Sequence, residues 1–263
     1  MNFDGIVYEL RNVLFRYDGP EVLRSIDISI ERGELIGIIG PNGAGKSTLL
    51  NILNGSLNPQ QGQVLLESAS LFDYSRLELA RKIATVPQFS EIVFPYRVME
   101  LVMMARHPHV GVFEFEGAKD VEIARRAMEQ TDVTQFADKY FHELSGGEKQ
   151  GVIIARALAQ ETMILLLDEP TSSLDLKHQK FIYTLLRTLS DSKEKTLIVV
   201  SHDINLAGLY CDRMVLLKGG EILTIGTPEE VMQKDLIEDA YETEVEILID
   251  SCGHRFLKLK KDE

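Results

Sequence analysis

Residues 35–54 read LIGIIGPNGAGKSTLLNILN, and the whole chain is organised around them. Leu35–Ile39 is an apolar run of strand length. Gly40-Pro41-Asn42-Gly43-Ala44-Gly45 is a loop rich in the residue that takes positive φ without steric cost. From Lys46 onward Leu49, Leu50, Ile52 and Leu53 fall at helical spacing. Strand, loop, Lys-Ser and helix in that order fit the G-x-x-x-x-G-K-[ST] phosphate loop. A curled backbone turns its N–H groups inward, and the start of a helix adds partial positive charge at the same place. Lys46 brings a full charge to phosphate oxygens, and the Ser47 hydroxyl is a hard oxygen ligand suited to Mg²⁺.

Upstream, residues 6–17 (IVYELRNVLFRY) and 22–30 (VLRSIDISI) alternate in strand fashion around the Asp18-Gly19-Pro20 turn, which predicts an antiparallel hairpin. Tyr17 stands before that turn, either as a ring on which a base stacks or as a half-buried strand residue. Downstream, residues 55–62 read as a loop, 63–67 as a strand, 77–82 as a short helix and Ile83–Val86 as a strand ending at Pro87-Gln88. Locally, Gln88 reads as a solvated loop amide. Strand signals then give way to helical periodicity over residues 95–159, with amphipathic stretches at 98–106, 120–130 and 146–160. Met103 and Met104 read as core filler there, and His107 and His109 as loop residues.

Leu144-Ser145-Gly146-Gly147-Glu148 opens the last of these stretches. Ser145 and Glu148 make a capping box, whereas two glycines in a first turn weaken a helix unless something must approach its backbone. Both readings, a cap and a second anion seat, stand on local grounds. Residues 163–167 form an unbroken apolar strand that delivers Asp168-Glu169-Pro170-Thr171. Adjacent carboxylates at the end of such a strand need a cation or a chemical task. Asp168 suits Mg²⁺, and Glu169 suits the orientation or deprotonation of an attacking water. Thr196–Val200 ends likewise in Ser201-His202-Asp203, which places a third polar group beyond a strand's carboxyl end. His202 reads as a γ-phosphate contact or a capping residue, and Asp203 as the N-cap of a helix at Ile204–Tyr210. Hairpins at 213–225 and 244–259 and a helix begun by Pro228 complete the pattern.

With 263 residues, 44% hydrophobic and 26% charged, the composition is that of a soluble globular protein. No apolar run approaches a membrane span, and MNFDGIVYEL lacks a basic leader region, so a cytoplasmic location is expected. A net charge of −13 argues against general nucleic-acid affinity. Cys211 reads as a core residue and Cys252 as part of a turn; Cys252 with His254 offers too few ligands for a metal.

In this order GPNGAGKS, Gln88, LSGGE, ILLLDEP, Ser172-Ser173-Leu174-Asp175 and Ser201-His202-Asp203 resemble the ATPase subunits of ABC transporters, over roughly residues 8–232. The resemblance implies an α/β fold. Its P-loop NTPase (RecA-like) core carries an antiparallel β subdomain (residues 1–87 and 160–240). An inserted α-helical subdomain (88–159) and a C-terminal hairpin (241–263) complete it. It implies ATP and Mg²⁺ as cofactors. Tyr17 matches the adenine-stacking aromatic. Gly40, Pro41, Asn42, Gly43, Ala44, Gly45, Lys46, Ser47 and Thr48 match the phosphate contacts. Ser47, Gln88 and Asp168 match the metal and water shell. Glu169 matches the catalytic base and His202 the γ-phosphate switch, so Glu169, His202, Lys46 and Gln88 form the catalytic set. Ser145, Gly146 and Gly147 match the signature that closes on ATP held by a second copy, and Asp175 lies at the dimer seam. Implied partners are that second copy, transmembrane permease subunits contacting residues 88–106, and, indirectly, a periplasmic or surface substrate-binding protein. The implied location is peripheral, on the cytoplasmic face of the membrane.

FPYRVMELVMMARHPH, SSLDLKHQ and the stretch 201–232 are similar to importers of iron chelates, haem and cobalamin. Gly151 departs from the basic residue common at its position and puts the local helix start in question. An exporter ATPase, a soluble ABC protein acting on nucleic acid and a phosphate-loop kinase are the rivals. The absence of a fused span, of coiled-coil insertions or paired cassettes, and the presence of LSGGE, respectively, count against them.

Overall fold

The computed structural model of the chain describes residues 5–88, 92–111 and 115–260. The expected permease-contacting segment therefore falls partly outside the described residues, at 89–91, as do the extreme ends of the first and last expected segments.

The chain begins with β1 (Ile6–Arg16), β2 (Glu21–Glu31), β3 (Leu35–Ile39) and α1 (Lys46–Leu53). β4 (Gln61–Leu66), β5 (Ala69–Ser70), α2 (Arg76–Lys82) and β6 (Ile83–Val86) follow. Next come the helices α3 (Val98–Met103), α4 (Ala118–Gln130) and α5 (Gly146–Ala159). The second half alternates: β7 (Ile164–Asp168), α6 (Leu176–Asp191), β8 (Thr196–Val200), α7 (Ile204–Tyr210), β9 (Arg213–Lys218) and β10 (Glu221–Gly226). Two helices, α8 (Pro228–Val231) and α9 (Lys234–Tyr241), lead to the hairpin β11 (Val245–Ile249) and β12 (Arg255–Leu259).

One sheet is antiparallel, in the order β2-β1-β4-β5. The larger runs β10-β9-β3-β8-β7-β6, parallel from β9 to β6 with β10 as an antiparallel edge. Its central strands read as continuous apolar runs because both faces are covered. Leu35, Ile39, Leu165, Leu167, Leu197 and Val199 face one apolar cluster, which continues into α3, α4 and α5. Ile36, Ile38, Leu166, Ile198 and Val200 face the other, filled by α1 and the inner side of the antiparallel sheet. The period-2 alternation of strand side chains thus divides one hydrophobic sheet between two cores.

Parallel pairing brings the carboxyl ends of β3, β6, β7 and β8 to the same edge. Asp168 closes β7, and Gly40, Gln88 and His202 follow the ends of the other three, and this juxtaposition makes the site.

Four sequence expectations change. The stretch 98–106 is helical only to Met103 and then tightens into a 3₁₀ helix, Met104–His109, that includes both His107 and His109. Pro108 explains the change, since it cannot donate a backbone hydrogen bond and disfavours α geometry at the residue before it. Met104 is exposed rather than core filler. The helices α6 and α9 were not anticipated as elements. Gly151 leaves the start of α5 intact, because a Cβ there would lie 2.8 Å from Val133 Cγ1, so the glycine serves close packing.

Candidate functional site

The loop after β3 is shaped by glycines that nothing else fits. At Gly40 (φ +146°) a Cβ would sit 2.2 Å from the Leu217 carbonyl oxygen, and at Gly45 (φ +99°) 2.7 Å from Leu23 Cδ2. Both conformations lie in the region that L side chains rarely adopt. The loop wraps Lys46, whose Nζ donates to the carbonyls of Gly40 at 2.7 Å and Pro41 at 2.9 Å. The lysine is only 6% exposed. Burial lowers its pKa, and the charges of Glu169 and Asp168 oppose that shift.

Asp168 ends β7, and Glu169 takes φ +47°. This left-handed turn is strained for a residue with a side chain, and it lets two neighbours on a strand address one cleft instead of opposite faces. The Glu169 N–H donates to the Val200 carbonyl at 3.0 Å, which locks the turn to β8. Glu169 is nearly buried, and both carboxylate oxygens are engaged. Gln88 Nε2 donates to Oε2 at 2.5 Å, and His202 Nε2 pairs with Oε1. Three strand ends therefore converge on one carboxylate. A cavity of about 430 Å³ places Lys46, Ser47, Gln88, Glu169 and His202 on common walls, with Asn42 and Val22 at its side. Val22 had no signal in the sequence beyond following the Asp18-Gly19-Pro20 turn.

Ser47 Oγ donates to Asp168 Oδ1 at 3.2 Å. Burial raises the Asp168 carboxyl above its ordinary value, against the pull of the Ser47 hydroxyl and the charges of Lys46 and His202. A half-buried carboxylate beside a hydroxyl oxygen is a hard donor set that suits Mg²⁺. Tyr17 is 54% exposed and stands just past the end of β1. Its ring meets Phe15 edge-on at 4.9 Å, and its hydroxyl lies 3.5 Å from Thr48 Oγ1, at the rim of the loop.

The turn at 144–148 is not brought to this cleft. Ser145 N–H and hydroxyl both donate to Glu148 Oε2 at 2.7 Å, which holds the Glu148 carboxyl below its usual range. Ser145 and Gly146 are exposed, and a Cβ at Gly146 would meet open space. Glu148 supplies its half of the capping box by accepting the Ser145 N–H, and the turn it caps faces outward. Asp175 accepts the His178 N–H at 2.9 Å as the N-cap of α6. Asp203 caps α7 through Leu206 N–H at 2.9 Å.

Cys211 is buried, with Sγ filling the space that a side chain at Gly37 would need. Cys252 and His254 have Asp250 as a third neighbour, all within 4.8 Å. Asp250 Oδ1 already accepts the N–H groups of Cys252 and His254, so the carboxylate closes the hairpin turn. No described helix is long and apolar enough to cross a membrane.

Residues 23–172 match the family described as ABC transporter. The chain is similar to the cobalamin import ATP-binding protein BtuD of Halobacterium salinarum, at 42% identity over 229 residues. That match covers 87% of this chain but only 57% of the relative's length. It is also similar to the hemin import ATP-binding protein HmuV of Pseudomonas fluorescens, 40% identical across 90% of this chain and 92% of the relative. Among solved structures, the dimeric bacterial ABC transporter cassette MJ0796 superposes with a TM-score of 0.76 at 32% identity, over 84% of this chain and 98% of that one.

Proposed function

This chain belongs to the ABC transporter family, and on that premise we propose that it binds and hydrolyses ATP as the nucleotide-binding subunit of a membrane importer. It works as a pair of copies on transmembrane permease subunits, at the cytoplasmic face of the membrane. A binding protein outside the membrane delivers the transported ligand. The ligand is an iron chelate, haem or a cobalamin-like molecule, a reading supported by the hemin and cobalamin import functions named for its relatives.

One observation carries the proposal. The phosphate loop, Gln88, Glu169 and His202 line one cleft, with Asp168 bonded to Ser47 of that loop, while Ser145 and Gly146 of the same chain are exposed and do not line it. A second copy supplies the missing wall.

In this reading the loop amides and Lys46 hold the β- and γ-phosphates, and Tyr17 stacks on the adenine. Glu169 accepts the proton of the attacking water. Gln88 and His202, each bound to one of its oxygens, fix the direction in which that carboxylate points. Ser47 and Asp168, with Gln88 alongside, would hold Mg²⁺, which supplies charge neutralisation between the phosphates. ATP then bridges two copies at two sites. Loss of the γ-phosphate removes the bridge, and residues 88–159 pass the opening to the permease.

The test is ATP turnover per chain measured against protein concentration. The rate should climb as copies pair and then saturate. A concentration-independent rate from a chain that stays monomeric with ATP would overturn the proposal. Capture from a detergent extract should bring down a polytopic membrane protein, and turnover of the resulting complex should respond to an iron chelate, haem or a corrinoid.

A further inference from the structure

One contact lies outside the cleft and is not used by the reading above. His178, the third residue of α6, lays its imidazole on the Cα of Gly147. A Cβ at Gly147 would stand 2.6 Å from His178 Cδ2, 2.8 Å from Nε2 and 2.9 Å from Cγ, so its three nearest neighbours belong to one ring. The ring occupies the space a side chain at 147 would need. Its other edge is fixed, because Nδ1 lies 2.7 Å from Asp175 Oδ1, the oxygen that also accepts the His178 backbone N–H. The aspartate thus caps α6 and orients the imidazole together.

Asp175 stands six residues after Glu169. The intervening loop is tied by its own hydrogen bonds, Ser172 N–H to the Glu169 carbonyl at 3.3 Å and Leu174 N–H to the Thr171 carbonyl at 3.2 Å. Contacts therefore run without a gap from Glu169 through this loop and Asp175 to His178 and the backbone of Gly147. Beside them lies a cavity of about 210 Å³, lined by Phe136, Gly151 and Phe181 among others. The imidazole spans one side of an incompletely filled space between the starts of α5 and α6.

We propose that His178 is a positioning residue that registers the Ser145-Gly146-Gly147 turn to the loop behind Glu169. Rested on the dimer reading above, this links the wall that one copy offers its partner's nucleotide to the hydrolytic carboxylate of its own cleft. A shift at either place is transmitted through a flat, oriented ring.

The experiment uses the full chain with Glu169→Gln to hold ATP, and adds His178→Ala or His178→Phe. Single-copy ATP affinity, ATP-dependent dimerisation and thermal midpoint are measured for each. Dimerisation should weaken about tenfold in His178→Ala and stay within about threefold in His178→Phe, which keeps the ring. ATP affinity of the single copy should be unchanged in both. In the Glu169 background, the cooperativity of turnover with ATP should fall in both, since neither retains the Asp175 bond. Unchanged dimerisation and cooperativity in His178→Ala would overturn the proposal. So would a loss of dimerisation in His178→Ala that only follows its loss of thermal midpoint, with cooperativity intact in His178→Phe, which would make the ring ordinary packing. If the Glu169→Gln parent itself forms no ATP-dependent dimer, the dimer reading fails first and takes this proposal with it.

Discussion

The cleft at the strand ends and the turn that opens α5 are both glycine-rich, both begin a helix and both suit an anion. The fold treats them in opposite ways. In the cleft the catalytic side chains are held by partners within the chain: Lys46 on two carbonyls, Ser47 on Asp168, Glu169 between Gln88 and His202. At the turn, the Ser145 N–H and hydroxyl both go to its own Glu148, and a Cβ at Gly146 would meet open space. The contrast teaches that a motif at a parallel strand's carboxyl end has its side chains oriented by its own sheet, whereas a motif on an outward helix start needs a surface from elsewhere.

The harshest way to break this contrast is Glu169→Gln. An amide cannot take a proton from water, so turnover should fall about 10²- to 10⁴-fold while ATP binding persists. The protein should then accumulate as an ATP-dependent dimer, visible by light scattering. Retained turnover would remove Glu169 from its role and leave the convergence of Gln88 and His202 on it without a purpose.

Next in size is a paired comparison. Lys46→Ala should weaken single-copy ATP binding about 100-fold, because a buried charge at the phosphates is lost. Ser145→Ala should leave single-copy binding unchanged and lower turnover at saturating ATP about tenfold, the scale of one hydrogen bond to a charged group. Calorimetric affinity against steady-state rate separates the two. If Ser145→Ala weakened binding to the isolated chain, the turn would belong to its own cleft and the contrast would collapse.

Much of the cleft was legible in the sequence because each part is local. Strand patterning fixed where Asp168, Gln88 and His202 leave the sheet, and the loop glycines announced positive φ. What brings the parts together was not legible: parallel pairing of β3, β8, β7 and β6 is long-range, and no residue in isolation records it. Gln88 looked like a solvated amide until β6 was placed beside β7. The positive φ of Glu169 is imposed by its bond to β8, and a glutamate carries no mark of that. Arg106 was likewise unreadable as an anchor. It is buried with ion pairs to Asp120 and Glu161 at 2.9 and 3.0 Å, within a 3₁₀ segment that helical periodicity had extended as an α-helix. Helix α6 was missed because its polar, half-exposed face hides the apolar stripe of Ile182, Tyr183 and Leu186.

A smaller effect tests the electrostatic difference between the regions. Glu148 at the turn has its carboxyl lowered by bonds to Ser145, while Asp168 in the cleft has its carboxyl raised by burial. For a raised carboxyl the unfolded chain binds fewer protons than the folded one across the interval between the two pKa values. Stability therefore falls as pH rises through that interval, and the cost is full above it. Asp168→Asn should remove that cost, raising the thermal midpoint of the nucleotide-free chain by about 2 °C at neutral pH. The gain should shrink as pH drops below the folded pKa, and ATP turnover should be lost at every pH. A midpoint that falls instead would mean that Ser47 and Lys46 already balance the carboxylate.

The smallest effect concerns how the outward turn is mounted. Gly151 lies one helical turn beyond Gly147, and helix propensity alone says that Ala there should stabilise α5 by about 1 kcal/mol. The packing says otherwise, since the new Cβ would press on Val133 Cγ1 at 2.8 Å and approach the Thr131 carbonyl at 3.3 Å. Val133 is 2% exposed and has little room to move. Overpacking of that kind costs about 1–3 kcal/mol, so Gly151→Ala should come out destabilising by about 1 kcal/mol in urea melts. Adding Val133→Ala to Gly151→Ala should recover part of that loss relative to Val133→Ala alone, because the clash disappears and the propensity gain remains. Single-copy ATP affinity should not change in any of these variants, since neither residue reaches the cleft. If Gly151→Ala stabilised the chain, α5 would be free to shift against the 131–133 corner, and the turn offered to a partner would rest on a looser mount than the cleft does.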